Sequence, residues 1–213
     1  GFSIVSYTGT GSTATVGHGL GVAPDVIIVK NREDSNSWNV YHTGNEINTP
    51  AEDFVIYLND TNAKVNQASN WNDTAPTSSV FTVGSSNGSN GSSDDMIAYC
   101  FSSVAGYSKA GSWSGNGSSD GTFVFTGFRP RFLLHKDSNS TEQWQIKDTA
   151  RDTSNPVDVY LHPNLSNAEN TSTNASVDFL SNGFKIRTSD GSHNTSGNTY
   201  IYLAFAESPF KYS

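Results

Sequence analysis

The stretch "GVAPDVIIVKN", Gly21 to Asn31, decides how the rest of the chain is read. A glycine and a proline precede a run of β-branched residues, and a lysine and an asparagine close it. That is the pattern of a strand entered through a fixed turn. Its outline returns at "GFRPRFLLHKD", Gly127 to Asp137. Outward from this pair, Pro24, Lys30 and Trp38 recur at one spacing as Pro130, Lys136 and Trp144. "GFSIVSYTGTGS" (1–12) matches "GYSKAGSWSGNGS" (106–118), with Tyr7 answered by Trp113. "VIYL" (55–58) matches "DVYL" (158–161), "VFTVGSSNGS" matches "GFKIRTSDGS", and "MIAYCF" (96–101) matches "YIYLAF" (200–205). The spacing drifts by a few residues inside polar Asn/Ser/Thr stretches, where loops absorb changes of length. The chain reads as a tandem duplication.

Each matched block is short, rich in Val, Ile, Phe and Tyr, and bounded by turn residues, as strands are. Asn-Gly pairs at 87–88, 90–91, 116–117 and 182–183, and Asp-Gly pairs at 120–121 and 190–191, supply the turns. No window carries apolar residues at helical spacing over three turns. The predicted fold is all-β: two tandem homologous antiparallel β-sandwich (jelly-roll-like) repeats, residues 1–105 and 106–213. A residue kept in both copies is most simply one that each copy needs to fold. The Gly-x-x-Pro entrance then fixes a turn. Lys30 and Lys136 are expected to cover apolar surface and reach water. Trp38 and Trp144 read as core or sheet-face aromatics rather than as ligand platforms.

Composition narrows the partners. The formal net charge is −8, and there is no Lys/Arg cluster. Phosphate recognition needs a basic surface, so nucleic acid is excluded as a partner. Only 15% of residues are charged while 12% are aromatic, which argues for a folded, turn-rich chain rather than a disordered one. No apolar run approaches the roughly 20 residues of a membrane span, so membrane insertion is not expected. The single cysteine, Cys100 in "MIAYCFSS", reads as a buried thiol, and the absence of an intrachain disulfide suits assembly in a reducing cytoplasm. A start at Gly1 without methionine or signal peptide reads as a fragment or one module of a longer polypeptide.

Motifs for chemistry are scarce. His18, His42, His135, His162 and His193 show no ligand spacing, and neither HExxH, GxSxG nor a P-loop occurs. His18, in "GHGLG", reads as a loop residue. Glu46, Asp53, Glu142 and Asp148 could serve a glycosidase, but nothing in the sequence pairs any two of them at the required separation. No catalytic residue is assigned, and no cofactor is expected. Asp94-Asp95 and "NGSSDG" (116–121) could bind Ca2+ through oxygens, although they lack EF-hand spacing. Where the copies disagree, "NQASNWNDTAP" (66–76) places Trp71 beside Asn72 and Asp73. An exposed indole rimmed by amides and a carboxylate is what sugar binding uses. Trp71, Asn72 and Asp73 are therefore the candidate ligand-binding residues, set against a reading in which Trp71 closes the sandwich.

The matched blocks, taken together, resemble a repeat domain abundant in structural proteins of marine and environmental tailed phages. Its signature runs roughly Gly-[Phe/Val]-x-Pro, an apolar strand, Lys-Asn-Arg, a Tyr-Leu-x-x-Asn segment, a Gly-Phe strand and a closing aromatic-Ala strand. The first half keeps Lys30-Asn31-Arg32, and the second departs from it at His135-Lys136-Asp137. The resemblance implies a non-enzymatic virion-surface module: a tail-fibre, appendage or decoration protein that adheres to host-surface glycan or protein. Its expected partners are other virion proteins, the host surface, and its own copies in a homo-oligomer such as a trimer. The expected location is the virion surface or the extracellular space. A purely structural, self-assembling fibre or filament subunit is the alternative, and a polysaccharide depolymerase the third reading. No site residue is carried over from the resemblance.

Overall fold

The computed structural model describes residues 1–45 and 49–209. The chain divides into two compact units, Gly1–Ser103 and Val104–Ser213, and each builds its own hydrophobic core. Strands make up most of the regular structure, and each α-helix is a single turn of four residues. The fold is all-β.

In the first unit the order is β1 (Phe2–Thr8), β2 (Ala14–Gly17), β3 (Val26–Asn31), β4 (Asn39–His42), β5 (Phe54–Tyr57), β6 (Val65–Asn66), α1 (Ala68–Trp71), β7 (Val80–Val83), α2 (Asn87–Asn90) and β8 (Asp95–Phe101). One sheet runs β1-β8-β3-β4-β5-β6, and β2 pairs with β7 in a second ribbon. The ladders are antiparallel. Side chains alternate across a pleated strand, so the register sorts the large sheet into two faces. Ile27 and Val29 of β3 share a face with Ala98 and Cys100 of β8, and these join Phe81 and Val83 of β7, Tyr41 and Trp71 in one buried cluster. Ile28 and Lys30 share the opposite face with Tyr99 and Ile97. This sandwich-like arrangement leaves the second face of the sheet partly open.

The second unit comprises β9 (Ser108–Ser114), β10 (Phe123–Phe125), β11 (Pro130–Asp137), β12 (Gln145–Asp148), β13 (Val159–Tyr160), β14 (Asn170–Thr171), β15 (Val177–Leu180), β16 (Gly183–Ile186), α3 (Gly191–Asn194) and β17 (Thr199–Ala206). A sheet ordered β12-β11-β17-β9 and a sheet ordered β10-β16-β15 supply most of the core, and β13 pairs with β14. The inner face of the four-stranded sheet holds Trp113, Leu133, Tyr200, Tyr202 and Ala204, which meet Val124, Phe184, Ile186 and Phe179 of the other.

The Gly-x-x-Pro entrances behave as the sequence suggests: Gly21 and Gly127 sit at φ of 76° and 86°, a region that costs an L side chain energy. The lysines do not. Lys136 is fully buried, and its ammonium donates to the carbonyls of Asp137 and Ser140. Lys30 donates in the same manner to the carbonyls of Asn31 and Asp34. Each lysine ties down the turn that follows its strand, because an ammonium that bridges two turn carbonyls makes charge-assisted hydrogen bonds to both.

Candidate functional site

Trp71 is not exposed. It lies in the core with 2% of its surface accessible. Its indole Nε1 donates to the Phe54 carbonyl at 3.1 Å, and its ring meets Tyr41 edge-on at 6.1 Å. The single turn α1 is pinned between β5 and β7 and points its last residue inward, so the indole has no face left for a sugar. Asn72 and Asp73 follow on an exposed turn with φ of 54° and 44°, where Asn72 Oδ1 accepts from Thr13 Oγ1 at 3.0 Å. The expectation of an exposed aromatic rimmed by these two polar residues is corrected: Trp71 belongs to the core.

An aromatic platform does exist, at Trp38. On the partly open face of the first sheet, the half-buried Trp38 stacks on Tyr99 with centroids 6.3 Å apart and planes 28° from parallel. The pair floors a groove of about 640 Å³. Around it stand Lys30 and Ile97 from the sheet, Arg32 and Asp34 from the turn after β3, and Asn36 and Asn59 from the flanking loops. Asn59 accepts from the Trp38 backbone N–H at 2.8 Å and so anchors the main chain that carries the indole. Sheet register brings Tyr99 beside Ile28, and the turn held by Lys30 sets the rim. The groove thus offers flat apolar rings with amides, a carboxylate and a guanidinium around them.

The other nominated groups are engaged. Glu46 lies outside the described residues. Burial works against ionisation of Asp148, but hydrogen bonds from the Arg151 side chain and backbone outweigh it and hold the pKa below the ordinary carboxylate value. Burial, reinforced by Asp190 and Asp137, raises the pKa of Glu142. Those two neighbours spend their oxygens on turns: Asp137 accepts from Asn139 N and Ser140 Oγ, and Asp190 accepts from Ser192 N and Oγ. Asp53 closes a 3-10 turn in the other unit. The proposed Ca2+ ligands face donors: Asp94 accepts from Asn31 Nδ2 at 2.7 Å, and Asp120 bonds Lys185 at 2.8 Å with Arg187 at 3.7 Å. A cation would have to displace these groups. Among the described residues no three His, Cys, Asp or Glu side chains converge to hold a metal. Cys100 is fully buried, and burial pushes its thiol up to about 12. His18 is buried in its loop, with Nε2 3.1 Å from the Thr77 carbonyl and Nδ1 accepting from Leu20 N.

The second unit assembles a polar group that sequence spacing could not reveal. His135 of β11 and His193 of α3 pack with ring centroids 4.7 Å apart, both fully buried. Gln145 and Lys147 of β12 lie on the same inner face through register with His135 and Leu133. Neither nitrogen of His135 has a hydrogen-bond partner, nor does His193 Nε2. Desolvation, with Lys147, Lys136 and His162 adding repulsion, lowers the His135 pKa to about 3. His193 is likewise lowered well below its ordinary value, by burial first and by His135 next. Burial brings Lys147 down to about 7, against the pull of Asp158 and Asp152. Ser192 Oγ lies 2.8 Å from His193 Nδ1 but donates to Asp190. With the carboxylate on the hydroxyl rather than on the imidazole, this is not the orientation in which a base activates a nucleophile. The assembly keeps two imidazoles neutral inside a core.

A family described as a domain of unknown function, DUF7483, matches residues 1–209. The chain belongs to the DUF7483 family. The matched region runs through both compact units, so a DUF7483 domain takes in both cores, the Trp38 groove and the buried histidines. No curated protein and no solved structure matches the chain.

Proposed function

We propose that this DUF7483 chain is a non-enzymatic adhesion module, built from two duplicated β-sandwich halves, that binds saccharide in the Trp38–Tyr99 groove. The observation that carries the reading is the groove itself: two stacked rings with polar side chains at the rim. Sugar C–H faces pack on such rings while hydroxyls bond the polar edge.

Duplication is supported atom by atom. Tyr7 Oη donates to the Ser89 carbonyl, and Trp113 Nε1 donates to the His193 carbonyl. Asn90 Nδ2 donates to the Ser12 and Gly84 carbonyls, as Asn194 Nδ2 does to those of Ser118 and Thr188. Against this shared grammar the groove stands out as a difference. Trp144, Ile201 and Leu203, the counterparts of Trp38, Ile97 and Tyr99, are all buried. A feature that only one copy keeps open is not required by the fold.

The resemblance to phage structural repeats supports a virion-surface setting for the proposed module, with other virion proteins and host glycan or protein as its proposed partners. The test is retention on a glycan array of the wild type and of Trp38→Ala, with thermal melting to verify folding. Saccharide binding that the substitution abolishes is expected. A folded Trp38→Ala protein that binds like wild type would remove the groove from the mechanism.

One observation favours self-assembly as a second reading. The edge strand β1 exposes Phe2 (50%) and Ile4 (57%) and carries no charge, whereas edge strand β9 carries Lys109. Uncharged apolar edges invite pairing with another strand. Concentration-dependent oligomers in light scattering, dispersed by Ile4→Lys, are its expected signature, and a monomer at all concentrations would dismiss it.

A further inference from the structure

We infer that the groove selects an acidic saccharide, one bearing carboxylate or sulfate, and that Arg32 reads the charge. This rests on the saccharide reading above and follows from asking which polar groups of the groove are already spent.

Lys30 gives its ammonium to the carbonyls of Asn31 and Asp34, each at 2.6 Å. Asp34 accepts from Ser35 N and Oγ through Oδ1 and from Asn36 Nδ2 through Oδ2. That last bond also occupies the Asn36 amide. Asn59 accepts from Trp38 N and reaches Ser37 Oγ at 3.5 Å. Asn31 is committed on both ends, donating to the Asn87 carbonyl and Asp94 and accepting from Glu33 N and Asp34 N.

Arg32 is different. Among the described residues its ionic partner is Asp95 at 3.9 Å, with side chains 57% and 60% exposed, an arrangement that contributes little in water. Among the described residues lining the groove, it is the charged group that no protein atom engages at hydrogen-bonding distance. A guanidinium offers two parallel N–H groups matched to a carboxylate or sulfate. Lys30 adds to it, since its ammonium bonds carbonyls rather than a carboxylate and its positive charge is not paired off. A pyranose laid on the Trp38–Tyr99 rings would carry an acidic substituent toward this rim. The background field opposes such a ligand, because the chain's net charge is −8. Retention of a polyanion therefore cannot be credited to general attraction and must come from a local contact.

Affinity electrophoresis of the full chain through gels cast with alginate, hyaluronate, polysialic acid, dextran sulfate or neutral dextran tests this at 0.15 M salt. Retardation by at least one acidic polymer and not by dextran is expected, and the polymers that act separate carboxylate from sulfate recognition. Arg32→Gln should weaken that retardation roughly tenfold to a hundredfold, the loss that goes with one charge-assisted contact. Arg32→Lys should restore it in part, as a point charge without the fork. No retardation by any acidic polymer, equal retardation by dextran, or an Arg32→Gln protein that matches wild type each overturns the inference. The Trp38→Ala protein separates the two levels: if it loses binding to dextran while Arg32→Gln changes nothing, the groove stands as a saccharide site and only the acidic selectivity falls.

Discussion

Asn31 donates from its amide to Asp94 Oδ2 at 2.7 Å, and Asp137 Oδ2 accepts from the amide of Asn198 at 2.8 Å. The contact is the same and the chemistry is exchanged: where one unit has amide then carboxylate, the other has carboxylate then amide. A buried polar group must keep a partner, so neither residue can change alone without cost. Asn31→Asp would place two carboxylates against each other at a fully buried position. It should destabilise the chain by about 1–3 kcal/mol at neutral pH, the cost of an unmade bond at a buried polar site. Part of that loss should return in mild acid, when one carboxyl takes up the missing proton. The double variant Asn31→Asp/Asp94→Asn rebuilds the arrangement of the second unit, and urea denaturation should find it close to wild type. A double variant no more stable than the single one would show that the exchange is incidental.

The turn α1 shows how an element can mislead when it is read alone. "NQASNWNDTAP" is polar around one tryptophan, and polarity suggests exposure, yet Trp71 Nε1 reaches the Phe54 carbonyl and its ring rests on Tyr41. Those partners arrive from β4 and the start of β5, and no local pattern encodes their approach. The strands themselves were legible, because alternation and turn residues are local: β3 and β8 fall where the apolar blocks lie, and the glycine–proline entrances adopt the backbone they imply. The candidate site was not legible. Trp38 and Tyr99 meet only through the pairing of β3 with β8 and the turn that Lys30 secures, and His135 meets His193 only through the packing of α3 on β11. Burial gives Trp71 a measurable signature. Trp71→Ala should cost about 3–5 kcal/mol in chemical denaturation, as loss of a large core aromatic does. Below its lowered melting temperature it should keep the saccharide retention proposed for the wild type. Lost retention by a folded Trp71→Ala protein would return this residue to the binding surface.

At the scale of the whole molecule, the two cores differ in what acid does to them. The first is built around Val29, Tyr41 and Ser89, where the second has His135, Lys147 and His193. An imidazole whose folded pKa is depressed below its unfolded value binds fewer protons when folded. Stability then falls as pH drops below about 6.5, the unfolded value, and keeps falling toward the folded one. For His135 the window runs from about 6.5 down to about 3, and His193 is depressed in the same direction. His135 removes up to about 1.4 kcal/mol per pH unit across its window, and His193 adds to the loss in the same direction. Lys147 acts at the other end: with a folded value of about 7, it makes the second core gain stability as pH rises from about 7 toward 10.5. Hydrogen exchange between pH 7 and 4 should therefore show amides of β11, β12 and β17 losing protection steeply. The variant His135→Val/His193→Ser, which installs the residues of the first core, should flatten that loss. If its slope matches wild type over this window, the buried imidazoles are not what makes the second core acid-labile.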